Sequence, residues 1–164
     1  MYSYYLGKRP NGYTTFSYDI SDFVSFGETE NEISVKVVHT DLADSRWFTG
    51  SGITRKVSLV IEEPVHPAEY GCTFLTRKVD KGDSEIRAEV EIEQEAVNTS
   101  DEKVRLRIKS LLIDREDNEA AVLEGERELA AGETAKIPLR GEVRKASLWS
   151  PDDPYLYRMQ TWYQ

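Results

Sequence analysis

The 164-residue sequence holds a single cysteine, Cys72, and only two histidines, His39 and His66. One cysteine excludes an internal disulfide and leaves the redox compartment unread. Neither histidine stands at a metal-ligand spacing, so no metal and no cofactor is expected in this chain. His66, between Val65 and Pro67, reads as a surface side chain of a connector rather than a catalytic group. Basic residues are in deficit, 21 against 30 acidic ones, for a net charge of −9. Phosphate binding is driven by clustered Lys and Arg, so the acidic balance argues against a nucleic-acid partner and none is expected. No run of ~18 residues is free of charge, so no membrane-spanning helix and no membrane partner is expected. The opening Met-Tyr-Ser-Tyr-Tyr lacks the basic and apolar regions of a secretory leader. A (β/α)8 barrel is also excluded, because that fold takes about 250 residues.

What the sequence does have is the period of strands. From Ile86 the apolar Ile86, Ala88, Val90 and Ile92 alternate with Arg87, Glu89, Glu91 and Glu93. Val104, Leu106 and Ile108 alternate in the same way with Arg105, Arg107 and Lys109. Each stretch predicts a strand with one wet face. Leu111 to Ile113 is apolar on both faces and predicts a strand covered on both sides. Further strands are expected at 18–20, 32–38, 53–61, 72–79, 120–127, 134–139 and 155–162. Turn chemistry separates them at Pro10-Asn11-Gly12, Lys81-Gly82-Asp83, Asn98-Thr99-Ser100-Asp101, Asp117-Asn118 and Ala131-Gly132-Glu133. Helix is scarce, with 124–131 the best and doubtful candidate. Many short strands at regular spacing predict sandwich architecture.

Pro64 and Pro67 mark a stiff connector. Residues 1–63 carry 6 basic and 9 acidic side chains, and the remainder carries 15 and 21. The second part has the ~100 residues of an immunoglobulin-like domain. The acidic strand from Arg87 and the basic strand from Lys103 have two arrangements open to them. As a hairpin they would set Glu93 opposite Arg105 and Glu91 opposite Arg107. In opposite sheets, the preferred arrangement, their apolar faces would meet across the core and the charges would be solvated.

Two stretches exceed generic β pattern. The first is Ser45-Arg46-Trp47-Phe48-Thr49-Gly50-Ser51-Gly52-Ile53-Thr54-Arg55, a Gly- and Ser-rich loop with an aromatic pair opening into a strand. An exposed Arg-Trp-Phe cluster suits stacking on a sugar ring, and it equally suits packing. The second is Leu148-Trp149-Ser150-Pro151-Asp152-Asp153-Pro154-Tyr155-Leu156-Tyr157. Its two prolines hold an extended bend, and Trp149, Leu156 and Tyr157 are expected to pack on the core.

In order and at this spacing, the two stretches resemble glycoside hydrolase family two, which includes β-galactosidases, β-glucuronidases and β-mannosidases. The first resembles the end of that family's sugar-binding domain, with Trp47, Gly50, Gly52 and Arg55 as its structural motif. Gly12-Tyr13-Thr14-Thr15-Phe16-Ser17-Tyr18-Asp19 resembles an earlier segment of the same domain. The second resembles the end of the family's immunoglobulin-like domain, with Trp149, Pro151, Pro154 and Tyr157 as its motif, and 90–98 is similar to a strand of that domain ending in Asn. The resemblance implies an all-β chain. A partial jelly-roll (galactose-binding-like) sandwich at 1–63 would be followed by an immunoglobulin-like β-sandwich at 64–164.

The resemblance also implies what is missing. The first half of the jelly roll is expected to lie upstream of Met1 and the catalytic barrel beyond Gln164. Both catalytic glutamates of a retaining β-glycosidase would sit on that barrel. No residue here is therefore assigned a catalytic role, and the chain alone is expected to lack glycosidase activity. Asn31-Glu32 resembles the family's acid/base pair only superficially, since it opens the expected strand at 33–37. The residues before Trp47, namely Asp44, Ser45 and Arg46, are the candidate contacts to a terminal sugar. Arg46 would offer a donor fork and Asp44 an acceptor. The implied partners are the absent barrel and carbohydrate, and oligomers are open because incomplete sheets expose edges. A bacterial source is implied; cytoplasm, periplasm and secretion all remain open. A stand-alone carbohydrate-binding module or a structural β-sandwich protein is the alternative.

Overall fold

The computed structural model describes residues 3–39 and 50–164. The chain forms two compact units, Met1–Ser58 and Leu59–Gln164, dividing a few residues before the proline pair. Among the described residues there is no helix, and every strand lies in the second unit.

The first unit is held by local polar closures and ring contacts. Asn11 Oδ1 accepts from the Tyr13 amide at 2.8 Å, and Asp19 Oδ1 accepts from the Ser21 amide at 2.9 Å. The Asn31 side chain closes a loop by accepting from the Ser25 amide and donating to the Ser25 carbonyl, both at 2.8 Å. Tyr4 and Phe23 stack with centroids 4.7 Å apart, and Arg9 lies 5.0 Å over the Tyr18 ring. The strands expected at 18–20, 32–38 and 53–61 are not formed. Asn31-Glu32 therefore opens no strand. The physical reason lies in their exposed faces. Ile33, Val35, Val37, Val57 and Leu59 are all exposed, and an alternating apolar face forms a stable strand only with a ladder partner and a covering layer.

The second unit is a sandwich of two three-stranded antiparallel sheets. β1 (Val65–Lys81), β2 (Ile86–Asn98) and β5 (Thr134–Arg144) form one sheet in the order β1-β2-β5. β3 (Val104–Ile113), β4 (Glu119–Leu129) and β6 (Arg158–Tyr163) form the other in the order β4-β3-β6. β2 and β3 thus lie in opposite sheets. Their alternating apolar residues meet in one core with those of β4 and β5, where Ile92, Ile108, Leu123, Leu129, Ile137 and Leu139 are fully buried. Each such side chain contributes about 1.5–3 kcal/mol of transfer free energy.

Several elements differ from expectation. β1 begins at Val65, so His66 and Pro67 belong to a ladder, opposite Val97 and Ala96, rather than to a connector. Pro67 is tolerated because it sits near the start of an edge strand. The stretch 124–131 is mostly strand β4. β5 runs on past Leu139 to Arg144 through Gly141. β4 and β5, joined by a turn at Gly132 (φ +69°), press together. A Cβ on Gly141 would lie 2.9 Å from Leu123 Cγ, and one on Gly125 would lie 3.2 Å from the Pro138 carbonyl oxygen. Only glycine permits that approach, and it closes one side of the sandwich.

The wet faces are more organised than plain solvated charge. Glu91, on central β2, is only 8% exposed. It is gripped by Arg77 of β1 at 2.9 Å and Arg140 of β5 at 3.4 Å. Lys136 reaches Glu93 at 2.6 Å. On the other sheet Arg105 meets Glu126 at 2.7 Å and Lys103 meets Glu128 at 2.5 Å. The acidic and basic strands each find opposite charge within their own sheet, a cross-strand pairing that alternation alone does not reveal.

Candidate functional site

Asp44, Ser45, Arg46 and Trp47 lie outside the described residues. The stems that flank them are described. His39 Nδ1 and Ser51 Oγ are 2.8 Å apart, which ties the two ends of the 40–50 segment together across twelve positions of sequence. Gly52 at φ +110° turns the returning chain in a conformation that side-chain-bearing residues rarely adopt. Gly50 and Arg55 are exposed and belong to no strand.

The second motif forms a built cluster at one end of the sandwich. Ser150 and Asp153 close the bend, with the Ser150 amide donating to the Asp153 carbonyl at 2.9 Å and the Asp153 amide donating to Ser150 Oγ at 3.0 Å. The Tyr155 amide donates back across Pro154 to the Asp153 carbonyl at 2.8 Å. Pro151 and Pro154 lie within this bend. Tyr157 packs against the core, and its hydroxyl accepts from the Ser147 amide at 2.9 Å. Trp149 and Leu156 do not pack inside. They are 59% and 72% exposed. The period of an extended chain explains Leu156, because Tyr155 and Tyr157 occupy the anchored face and their neighbour points away.

Tyr155 joins this bend to the 114–118 turn between β3 and β4. Its hydroxyl accepts from the Arg115 amide at 3.1 Å and donates to Glu116 Oε2 at 3.2 Å. The Arg115 guanidinium lies 4.3 Å over the Tyr155 ring and donates to Asp153 Oδ1 at 2.9 Å. That contact with Asp153 holds the Arg115 guanidinium even more firmly charged than usual. Asp114 organises the turn by accepting from the Glu116 and Asn118 amides at 2.9 and 2.7 Å. The Asn118 contacts, first its amide and then its side chain, hold the Asp114 carboxyl below its ordinary range. Arg158 reaches Asp117 at 2.6 Å. Sequence reading missed this cluster of 114–118 with 153–158, because its members stand about forty positions apart and no periodicity connects them.

Asp19, Glu91, Asp114, Glu126 and Glu128 are each held below the usual carboxylate range, by hydrogen bonds from Ser21, Arg77, Asn118, Arg105 and Lys103 respectively. An acid catalyst requires the reverse displacement. Arg77, Glu89, Val90, Glu91, Arg140 and Gly141 line a shallow depression of about 240 Å³ on the outer face of the β1-β2-β5 sheet. Both arginines there are engaged by Glu91. Among the described residues no three His, Cys, Asp or Glu side chains converge as metal ligands do. His66 contacts the Glu63 carbonyl at 2.8 Å and Glu62 at 3.4 Å.

Residues 73–163 match the family model described as glycosyl hydrolases family 2. The chain is 34% identical, over 156 residues, to the β-galactosidase BoGH2A of Bacteroides ovatus, an alignment covering 95% of this chain and 18% of that protein. Among solved structures, the β-glucuronidase of Bacteroides uniformis superposes with a TM-score of 0.50 at 29% identity, over 57% of this chain and 11% of that one. A second β-glucuronidase of glycoside hydrolase family 2 superposes with a TM-score of 0.56 at 18% identity, over 62% of this chain and 11% of that one, and shows the fold alone. The chain spans less than a fifth of each relative. With the matched residues running from β1 through β6, the chain belongs to glycosyl hydrolases family 2.

Proposed function

We infer that this chain is the non-catalytic β-sandwich portion of a retaining β-glycosidase of β-galactosidase type, shaping the sugar pocket and bracing a catalytic barrel. The whole enzyme would remove terminal β-linked sugars through a covalent glycosyl-enzyme, using two carboxyl groups about 5–5.5 Å apart on that barrel. The observation that carries the reading is the near-complete alignment, at 34% identity, with part of a β-galactosidase. Residues 1–63 would be the closing part of a jelly-roll sugar-binding domain. Residues 64–164 would be an immunoglobulin-like domain, which the two opposed antiparallel sheets support.

Asp44, Ser45 and Arg46 would face the terminal sugar at the barrel mouth. Arg46 would donate its planar fork to hydroxyls or to a sugar carboxylate, and Asp44 would accept from hydroxyls. Trp47 would fill the space between this portion and the barrel. The exposed Trp149 and Leu156, fixed by the Tyr155 and Tyr157 anchors, would provide a second bracing contact. The test is Arg46→Ala in the complete enzyme. Loss of a charged hydrogen-bond partner predicts a fall in kcat/KM of about 10- to 100-fold, and an unchanged kcat/KM refutes the contact.

A further inference from the structure

The turn at Pro10-Asn11-Gly12 takes no part in the proposed function, yet it brings reactive groups together within Asn11–Tyr13. Asn11 Oδ1 accepts from the Tyr13 amide at 2.8 Å. A closure of this kind curls the asparagine side chain over its own main chain, on the side of the intervening Gly12 nitrogen. The Tyr13 N–H also draws electron density from Asn11 Cγ. It meets the oxygen on which negative charge gathers when a nucleophile adds to that carbon.

Gly12 removes the steric bar to such an addition. Without a Cβ, its backbone reaches angles that other residues rarely adopt. A Cβ built there would meet nothing within 4 Å. Asn11, Gly12 and Tyr13 are all exposed, so water reaches the same carbon.

The other asparagines differ on two counts. Asn31, Asn98 and Asn118 are followed by Glu32, Thr99 and Glu119, whose side chains crowd the next main-chain nitrogen. Their own side-chain nitrogens are held by acceptors. Asn31 donates to the Ser25 carbonyl at 2.8 Å, Asn98 to the Ala130 carbonyl at 2.9 Å and Asn118 to Asp114 Oδ2 at 3.1 Å.

We propose that Asn11 is a site of spontaneous modification, where the turn converts its own amide to aspartate and isoaspartate through a cyclic imide with Gly12. The Gly12 nitrogen gives its proton to solvent base and bonds to Asn11 Cγ. The Cγ–Nδ2 bond breaks, and Nδ2 takes up a proton and leaves as ammonia. Water then opens the imide. Attack at one carbonyl gives aspartate, and attack at the other gives isoaspartate. Both products replace an amide that donates and accepts by a carboxylate that only accepts. The new negative charge arises near Arg9, whose guanidinium lies 5.0 Å over the Tyr18 ring. Isoaspartate also lengthens the main chain by one carbon, which opens the turn.

Incubation of the 164-residue chain in mildly basic buffer, followed by peptide mapping with mass spectrometry, tests the proposal. The expected result is conversion of amide to acid at Asn11, faster as pH rises, while Asn31, Asn98 and Asn118 stay intact. Two products of equal mass separate by chromatography, and an isoaspartyl methyltransferase used as a reagent labels one of them. Gly12→Val crowds the attacking nitrogen and abolishes the conversion over the same incubation. Tyr13→Pro, which lacks the amide donor, slows it. An Asn11 that remains an amide, or one that yields aspartate without isoaspartate, overturns the proposal. So does a Gly12→Val or Tyr13→Pro chain that converts at the wild-type rate. If a variant does not fold, the wild-type products decide, because isoaspartate forms only through the cyclic imide.

Discussion

The side-chain amide of Asn98 donates to the main-chain carbonyl of Ala130 at 2.9 Å, joining the end of β2 to the turn that follows β4. Asn98 is fully buried and uses its whole capacity. The same nitrogen donates to the Glu102 carbonyl at 2.8 Å, and Oδ1 accepts from the Ser100 amide and hydroxyl at 3.1 and 2.6 Å. One side chain thereby ties both sheets to two loops.

Asn98→Ala strands those carbonyls in a buried site. Each unsatisfied group costs about 1–3 kcal/mol. The expected loss in unfolding free energy is at least about 2 kcal/mol, read by urea titration. A variant within experimental error of wild type would show that Asn98 is not a staple.

Glu91 makes the stability of the sandwich pH-dependent. The hydrogen bond from Arg77 comes first and the charge of Arg140 assists, and together they hold its carboxyl below the ordinary 4.5. A group depressed in the folded state stabilises above its unfolded pKa, and that stability is lost as pH falls through the folded value. Glu91→Gln should therefore lower the melting temperature near neutral pH, and the gap to wild type should narrow as pH drops below 4.5. A gap that stays constant down to the acid transition would remove the ion pairs from the account.

Gly141 tests the closed side of the sandwich. Gly141→Ala drives a methyl group to 2.9 Å from Leu123 Cγ in a packed core. Overpacking of this kind costs about 1–3 kcal/mol. If Gly141→Ala matches wild type in chemical denaturation, β4 and β5 do not approach as described.

Legibility followed local repetition. The alternation at Ile86–Ile92 and at Val104–Ile108 placed β2 and β3, because a half-buried strand writes its own period into the sequence; that they lie in opposite sheets followed from the strand order of an immunoglobulin-like sandwich, since the period alone allows a hairpin as well. The same alternation at Ile33, Val35 and Val37 misled, since period alone cannot say whether a ladder partner exists. Pro67 suggested a connector, yet an edge strand tolerates proline at its start. Gly141 hid the second half of β5, although that glycine marks a close approach rather than an end. The anchors Tyr155 and Tyr157 were legible only as members of a motif. Their partners Arg115, Glu116 and Ser147 come from elsewhere in the chain, and only the folded backbone brings them together. Trp149 and Leu156 were expected inside because they are apolar, but both are exposed, and the anchored Tyr155 and Tyr157 turn Leu156 between them outward.

The proposed function makes this chain a non-catalytic portion of a β-glycosidase. Nitrophenolate release from 4-nitrophenyl β-D-galactoside by the purified 164-residue chain measures this directly. The account predicts no turnover above that of a mock preparation. Activity that co-elutes with the chain on gel filtration, and follows its concentration, would contradict it.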